Sequence, residues 1–238
     1  MGNCFTSGGG DEAGVPEPPA EEKIVTKCSQ ILGINRNTAQ QCVQTLQSNA
    51  TGGKLNEAQF NTVVQELGWT LPDIDTIGSK LFTFFKHFRE KKAYDLGKLQ
   101  ALGLLLSKGA LQDKAGPMFD SVPNLAQGEA DLPNLRLLFG HMVSISADLL
   151  PLLAVDENPQ PGQSLSEDAC RVYIAQLAGA KDQLVSELAE GMLFGLPHIR
   201  KPDFETRLRT MPVFQVLAAP DRIRGVLLAK GKAKAKAS

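Results

Sequence analysis

The sequence is poor in the residue types from which most catalytic and zinc sites are built. It has three histidines and four cysteines among 238 residues. No two cysteines form a Cys-x-x-Cys pair and no secretory apolar segment precedes them, which disfavours a zinc site or a disulfide framework. The histidines His87, His141 and His198 do not follow any known order of acid, base and nucleophile. We therefore predict a protein that is not an enzyme and has no cofactor.

An excess of charge of either sign is missing as well. Lys and Arg number 25 and Asp and Glu 26, so the formal net charge is -1. Because nucleic-acid affinity rests on basic residues that neutralise phosphates, we expect no nucleic-acid partner. Gly8-Gly9-Gly10 lacks the Lys-Ser/Thr that ends a phosphate-binding loop. No uninterrupted apolar run approaches the ~20 residues of a spanning helix.

What the sequence does contain is a signal for N-terminal acylation. Residues 1–6 fit the pattern Met-Gly, three free positions, then Ser or Thr, so Gly2 is the candidate for myristoylation. Cys4 would lie close to the bilayer and is the candidate for palmitoylation. One myristoyl chain binds a membrane with a constant of roughly 10⁴ per molar, whereas two signals anchor stably. We predict a lipid-anchored protein on the cytoplasmic face of a membrane.

Four lysines near the C-terminus offer a further membrane contact. Lys230, Lys232, Lys234 and Lys236 are separated by Gly and Ala, a composition typical of a flexible basic tail. Near an anionic leaflet each basic residue contributes ~1 kcal/mol. A tail that serves only solubility is the open alternative.

The apolar residues between the two ends recur at spacings of three and four, which predicts an all-α body. The spacing is clear at Leu81, Phe84, Phe85 and Phe88, and again at Leu184, Leu188 and Met192. We predict a flexible acylated tail over residues 1–22, a lobe over 23–110, a second lobe over 111–220 and a flexible basic tail over 221–238.

Four segments share one plan, in which an apolar helix, a polar gap and one apolar residue precede the next helix. Gly53 to Gln59 match positions 6 to 12 of the twelve-residue EF-hand loop, and Phe60 supplies the aromatic residue that often follows. The passage from Leu99 to Asp120 resembles the one between the second and third units of calcineurin-B-like proteins and neuronal calcium sensors. About residues 30–217 resemble the EF-hand superfamily, whose members in those two families are often myristoylated. An unrelated helical bundle is the alternative.

The resemblance implies two lobes of paired helix-loop-helix units. Within each lobe we expect short β pairing between the two loops. The predicted partners are Leu55 with Tyr94 and Ala130 with Ile199.

The loops lack the oxygen ligands that calcium requires. The ligand positions of the first loop carry no charged side chain except Lys54, which would act through its backbone, and those of the second include Arg89 and Lys91. Asp120 in an overlong third loop and Asp203 in the fourth are weak metal candidates. We predict no bound metal, and a calcium sensor with one atypical low-affinity loop is the first alternative.

By resemblance, the protein is an adaptor that receives an amphipathic partner helix in an apolar groove. A structural scaffold component of a membrane or cytoskeletal assembly is the second alternative. Candidates for the groove or the core are Phe82, Phe85, Phe88, Leu102, Met118, Phe119 and Met142.

Overall fold

Helices dominate the chain, and the prediction of a predominantly helical protein is confirmed. The structure is a computed structural model that describes residues 18–69, 79–123, 125 and 128–237, the last four by their backbone alone. Its α-helices are α1 (Ala20–Ser29), α2 (Ala39–Asn49), α3 (Glu57–Glu66), α4 (Lys80–Lys86), α5 (Leu96–Leu106), α6 (Leu111–Asp120), α7 (Leu132–Ser144), α8 (Glu167–Ala178), α9 (Lys181–Leu193), α10 (Lys201–Thr210) and α11 (Pro220–Ala237).

Short segments of other types connect the helices. The strands are β1 (Lys54–Leu55), β2 (Arg89–Glu90), β3 (Ala93–Asp95), β4 (Glu129–Asp131) and β5 (His198–Arg200). The 3₁₀ helices are Gln30–Leu32, Ile34–Arg36, Leu150–Ala154 and Pro212–Ala218, and Ile145–Leu149 is a π-helix.

Side-chain caps explain where several helices begin. Thr38 caps α2 in a capping box with Gln41, and Asn56 caps α3 in the same way with Gln59. Asp95 caps α5 by accepting the N–H of Lys98 at 2.7 Å. Each cap satisfies backbone donors that the first turn leaves unpaired, so the sequence marks these boundaries locally.

The predicted strand pairing is confirmed at both places. Leu55 of β1 lies opposite Tyr94 of β3, and Ala130 of β4 lies opposite Ile199 of β5. All four residues are buried. Each contact therefore joins two helix-loop-helix segments through a strand pair whose apolar side chains enter the core.

The buried hydrophobic residues form one cluster that extends through both predicted lobes. Helix α2 packs against α5 and also against α6, and α5 packs against α7. Packing is therefore continuous across residues 110 and 111, where the sequence suggests a boundary between lobes.

Aromatic rings fill the N-terminal part of this core. Phe60 stacks on Tyr94 with ring centroids 4.1 Å apart, and its ring lies 5.3 Å from that of Phe85. Phe84 lies 5.2 Å from Phe88. The tilted arrangements of Phe60 with Phe85 and of Phe84 with Phe88 are favourable for aromatic pairs. The strand pair and helix α4 therefore share one packed cluster.

Helix α7 continues through the π-helix and the following 3₁₀ helix as one run over Leu132–Ala154. This run of 23 residues is long and apolar enough to cross a membrane by length and composition, with a mean hydropathy of 1.6 in its best window. Polar residues such as Arg136 and Asp148 interrupt it, so it does not form an unbroken apolar run in the sequence. Since 61% of that window is buried inside the protein, and a buried core helix meets the same criterion, it is weak support for a span.

Both predicted tail boundaries need correction. Helix α1 begins at Ala20, and Glu22 within it is only 6% exposed. The C-terminal segment, predicted to be flexible, is the helix α11, whose Ile223 and Leu227 are fully buried. The four-residue spacing of these two side chains gives α11 an apolar face, and the Ala and Lys residues that follow have high helix propensity.

A buried ion pair joins α1 to α11. Arg224 is 1% exposed, and its Nε donates to Oε2 of Glu22 at 2.9 Å. The hydroxyl of Tyr173 in α8 also donates to Glu22, and Nη1 of Arg224 donates to the carbonyl oxygen of Ser146 at 3.3 Å. Burial, and then the hydrogen bond to Glu22, raise the pKa of Tyr173, so its hydroxyl keeps the proton that it donates. We call Glu22, Tyr173 and Arg224 the terminal clasp.

We expect Arg224→Met to lower the free energy of unfolding by about 3–5 kcal/mol, because it leaves the Glu22 carboxylate buried without its counter-ion. Urea denaturation measures the change. The control is Glu167→Gln, which breaks an exposed pair with Arg171 at 3.2 Å and should cost less than about 1 kcal/mol. Similar small losses in both variants would show that the clasp does not stabilise the fold.

Candidate functional site

In the first predicted loop, the polar side chains serve the helix that follows. Gly53 at loop position 6 has a φ of 73°. Asn56 accepts the N–H of Gln59 at 2.9 Å, and Gln59 Oε1 accepts the N–H of Asn56 at 2.8 Å. The side-chain nitrogen of Gln59 donates to Thr51 at 3.1 Å. The side chains at positions 9 and 12 are thus engaged in caps and in closing the loop.

The second loop closes as a tight hairpin of basic residues. Glu90 lies opposite Ala93, and Lys91 at the turn has a left-handed φ of 59°. The guanidinium of Arg89 lies 5.1 Å from the centre of the Tyr94 ring. The loop therefore presents cations where a calcium loop presents carboxylates.

The two weak metal candidates are not brought together. Both carboxylate oxygens of Asp120 lie 2.7 Å from Nζ of Lys201, so this residue links α6 to α10 by an ion pair. Asp203 is exposed in the first turn of α10. Across residues 18–69, 79–123, 125 and 128–237, no three His, Cys, Asp or Glu side chains are grouped as a metal ion would need.

The residues suggested for a groove or the core lie almost entirely in the core. Phe82 is half-buried. The remaining six are at most 3% exposed: Phe85, Phe88, Leu102, Met118, Phe119 and Met142. Helical spacing identified them because it marks any buried helix face, whatever the face is packed against.

An open apolar groove lies elsewhere, between α9, the 3₁₀ helix Pro212–Ala218 and α11. Its volume is about 580 Å³. The apolar lining consists of Leu184, Pro212, Val213, Val216 and Val226. Val213 is 42% exposed. We call this the C-terminal groove, and sequence reasoning missed it because its walls come from three separate segments.

Charged residues border the C-terminal groove. Lys230 donates to Glu187 at 2.8 Å, and this hydrogen bond lowers the pKa of the Glu187 carboxyl. Arg222 lies at the same border. Lys230, predicted to face a membrane, is thus held in an intramolecular ion pair, while Lys232 is exposed.

The other residues predicted for membrane contact cannot be placed. Gly2 and Cys4 lie outside the described residues, as do the side chains of Lys234 and Lys236. Their acylation and lipid contact stay predictions from the sequence.

A buried lysine borders a second cavity, of about 310 Å³, between α1, α6 and the start of α11. Lys114 is 2% exposed, and its Nζ donates to the carbonyl oxygens of Leu105 at 3.4 Å and Ala218 at 3.2 Å. Both acceptors lie at the C-terminal end of a helix, where carbonyl groups carry partial negative charge. Burial lowers the pKa of Lys114 to about 8. Lys114 thus bridges the C-terminal ends of two helices. Burying its amine costs free energy when the amine is protonated and charged.

No family model matches the chain, and no curated protein and no solved structure matches it either. The relation to the EF-hand superfamily therefore stays a prediction, and function has to be inferred from the side chains themselves.

We expect Lys114 to contribute a rise in stability between pH 8 and pH 10.5, opposed above pH 9 by the buried thiol of Cys42, whose pKa burial raises from 9.0 to about 12. In this range the unfolded chain binds a proton at Lys114, whose ordinary pKa is 10.5, while the folded chain does not, so unfolding becomes less favourable by up to about 3 kcal/mol. Below pH 8 Lys114 is protonated in both the folded and the unfolded state, so the free-energy cost of burying its charge applies in full. Urea denaturation at several pH values, compared with Lys114→Met, isolates this contribution because the variant lacks it.

Lys108→Met is the matched control, since Lys108 lines the same cavity but is exposed. It should keep the wild-type pH dependence. If Lys114→Met keeps it too, Lys114 does not titrate with a lowered pKa.

Proposed function

We propose that this protein is a membrane-anchored, non-catalytic adaptor of EF-hand-like architecture, which binds a helix of a partner protein and works without calcium. The observation on which this rests is the pair of strand contacts, Leu55 with Tyr94 and Ala130 with Ile199. Each joins two helix-loop-helix segments, which is the arrangement that the resemblance to EF-hand proteins implies for each of two lobes.

The chemistry of the loops supports a scaffold that does not depend on an ion. Asn56 and Gln59 are engaged in helix capping, and Asp120 is engaged with Lys201. In the second loop a divalent cation would meet Arg89 and Lys91, each repelling it by several kcal/mol at ~4 Å and an effective dielectric of ~20. The apolar core and the strand pairs then replace the ion as the source of stability.

The C-terminal groove is the surface we assign to the partner. Its apolar floor suits one face of an amphipathic helix. Its lining contains the two cations Arg222 and Lys230 and one carboxylate, Glu187, which favours a partner helix with acidic residues beside its apolar face. The N-terminal acyl chain would hold this surface at the cytoplasmic face of a membrane.

We expect calcium to leave the protein unchanged. Trp69 is the single tryptophan and is 4% exposed, so its fluorescence reports on the core next to α3. Titration with calcium after EDTA treatment should shift neither the emission nor the melting temperature. A response of both at micromolar calcium would favour the calcium sensor over the adaptor.

We expect Val213→Asp to abolish capture of the partner, because a carboxylate in the apolar floor would be desolvated by the bound helix. Affinity capture followed by mass spectrometry compares it with Val172→Asp, which alters a 58% exposed valine on α8. Proteins bound by wild type and by Val172→Asp, and lost only from Val213→Asp, would identify the partner. Equal capture by all three forms would rule out the groove.

Gly2→Ala serves as a third arm of the same experiment. An anchored adaptor should lose membrane partners when it becomes soluble. Retention of every partner would favour the structural scaffold, whose anchor is incidental. Mass spectrometry of the native N-terminus tests for the acyl chain itself.

A further inference from the structure

Two exposed apolar side chains lie at one loop tip in the C-terminal half. Phe194 is 75% exposed and Leu196 is 47% exposed. Both belong to the loop between α9 and β5, in which residues 194–197 are all exposed. We call these four residues the apolar loop. Single exposed apolar residues are common on protein surfaces, but two within three residues of one loop mark a candidate interaction site.

The backbone of Phe194 is strained although its ring makes little contact within the fold. Its φ and ψ are both 47°, in the left-handed region, where a side chain costs free energy and glycine is the usual residue at the end of a helix. The ring is nevertheless left largely in solvent. Folding would be favoured by glycine at this position, so the ring is best explained by a contact outside the folded chain.

Basic side chains lie beside the apolar loop. The guanidinium of Arg207 is 5.9 Å from the centre of the Phe194 ring, and its Nη1 donates to the carbonyl oxygen of Met192 at 2.6 Å. His198 and Arg200 are exposed at the start and end of β5. Residues 194–211 contain four Lys and Arg against two Asp and Glu. Carboxylates offset much of this charge, since Arg200 pairs with Glu129 at 2.8 Å, Lys201 with Asp120 at 2.7 Å and Arg209 with Glu205 at 3.2 Å. Arg207 is thus the cation nearest to the exposed ring.

We propose that the apolar loop is a membrane-insertion site, in which Phe194 and Leu196 enter the interfacial region of an anionic bilayer and the neighbouring cations contact its head groups. Exposed apolar side chains on a loop suit a fluid surface that can close around them. Aromatic residues favour the membrane interface, and basic residues are attracted to anionic lipids.

This inference deepens the proposed membrane anchoring, on which it rests for the membrane that the loop would meet. A single myristoyl chain needs a second attachment for stable binding, and the apolar loop supplies one that does not involve Gly2. The two attachments can be tested separately for that reason.

The experiment uses the full chain produced without an acyltransferase, and vesicles of phosphatidylcholine with or without phosphatidylserine. Wild type should sediment with the mixed vesicles. The double variant Phe194→Ala and Leu196→Ala should bind at least about tenfold more weakly, because two apolar side chains no longer leave water. Val172→Ala, at a 58% exposed site on α8, should bind as wild type does. Equal binding of the double variant, or no binding of wild type, would overturn the proposal.

The variant Phe194→Gly distinguishes membrane insertion of the Phe194 ring from a contribution of that ring to the stability of the fold. It removes the ring and also relieves the left-handed strain, so we expect a higher melting temperature together with weaker vesicle binding. A lower melting temperature would show that the ring stabilises the fold, contrary to the premise.

Phe194→Trp gives a direct readout of depth. Its emission should shift to the blue on vesicle binding and be quenched by brominated lipid, whereas Val172→Trp should show neither effect. Trp69 is buried and contributes a constant background. If the loop tryptophan stays in water while the acylated protein still needs Gly2 to reach membranes, the loop proposal fails and the lipid anchor stands.

Discussion

The buried ion pair between Glu22 and Arg224 joins the two ends of the described chain, alongside the buried apolar faces of α1 and α11. It connects α1, the first helix described, to α11, the last, and Tyr173 adds α8 to the same contact. The pair is buried, so neither charge can be left alone without a large penalty. This constraint sets the position of α11, and α11 in turn forms one wall of the C-terminal groove and one border of the cavity beside Lys114.

Stability in the loops comes from capping and strand pairing. At Asn56 and Gln59 the side-chain oxygens that could approach an ion accept backbone N–H groups instead. The hairpin at Lys91 closes the second loop within its own backbone. These contacts are consistent with the proposed adaptor, in which capping and strand pairing hold the helices without an ion.

The surfaces proposed for partner and membrane are distinct. The C-terminal groove is concave and lined by valine, leucine and proline, as a helix-binding site should be. The apolar loop is exposed and carries an aromatic ring beside arginine, as expected of a membrane-inserting segment. Lys230, which sequence alone assigns to lipid, pairs with Glu187 at the groove, whereas Lys232 is exposed.

Local pattern in the sequence was enough for a predominantly helical body, but not for helix α11. Leu55 with Tyr94 and Ala130 with Ile199 could be predicted because the resemblance to paired EF-hand loops aligns each apolar residue with its partner. Spacing could not separate groove from core at Phe85 or Met118, since a buried face has the same period whatever covers it. Nor could it place Glu22 against Arg224, 202 positions away, or bury Lys114. Those contacts depend on how distant helices meet, because burial and ion pairing are set by three-dimensional neighbours and not by neighbours in the chain.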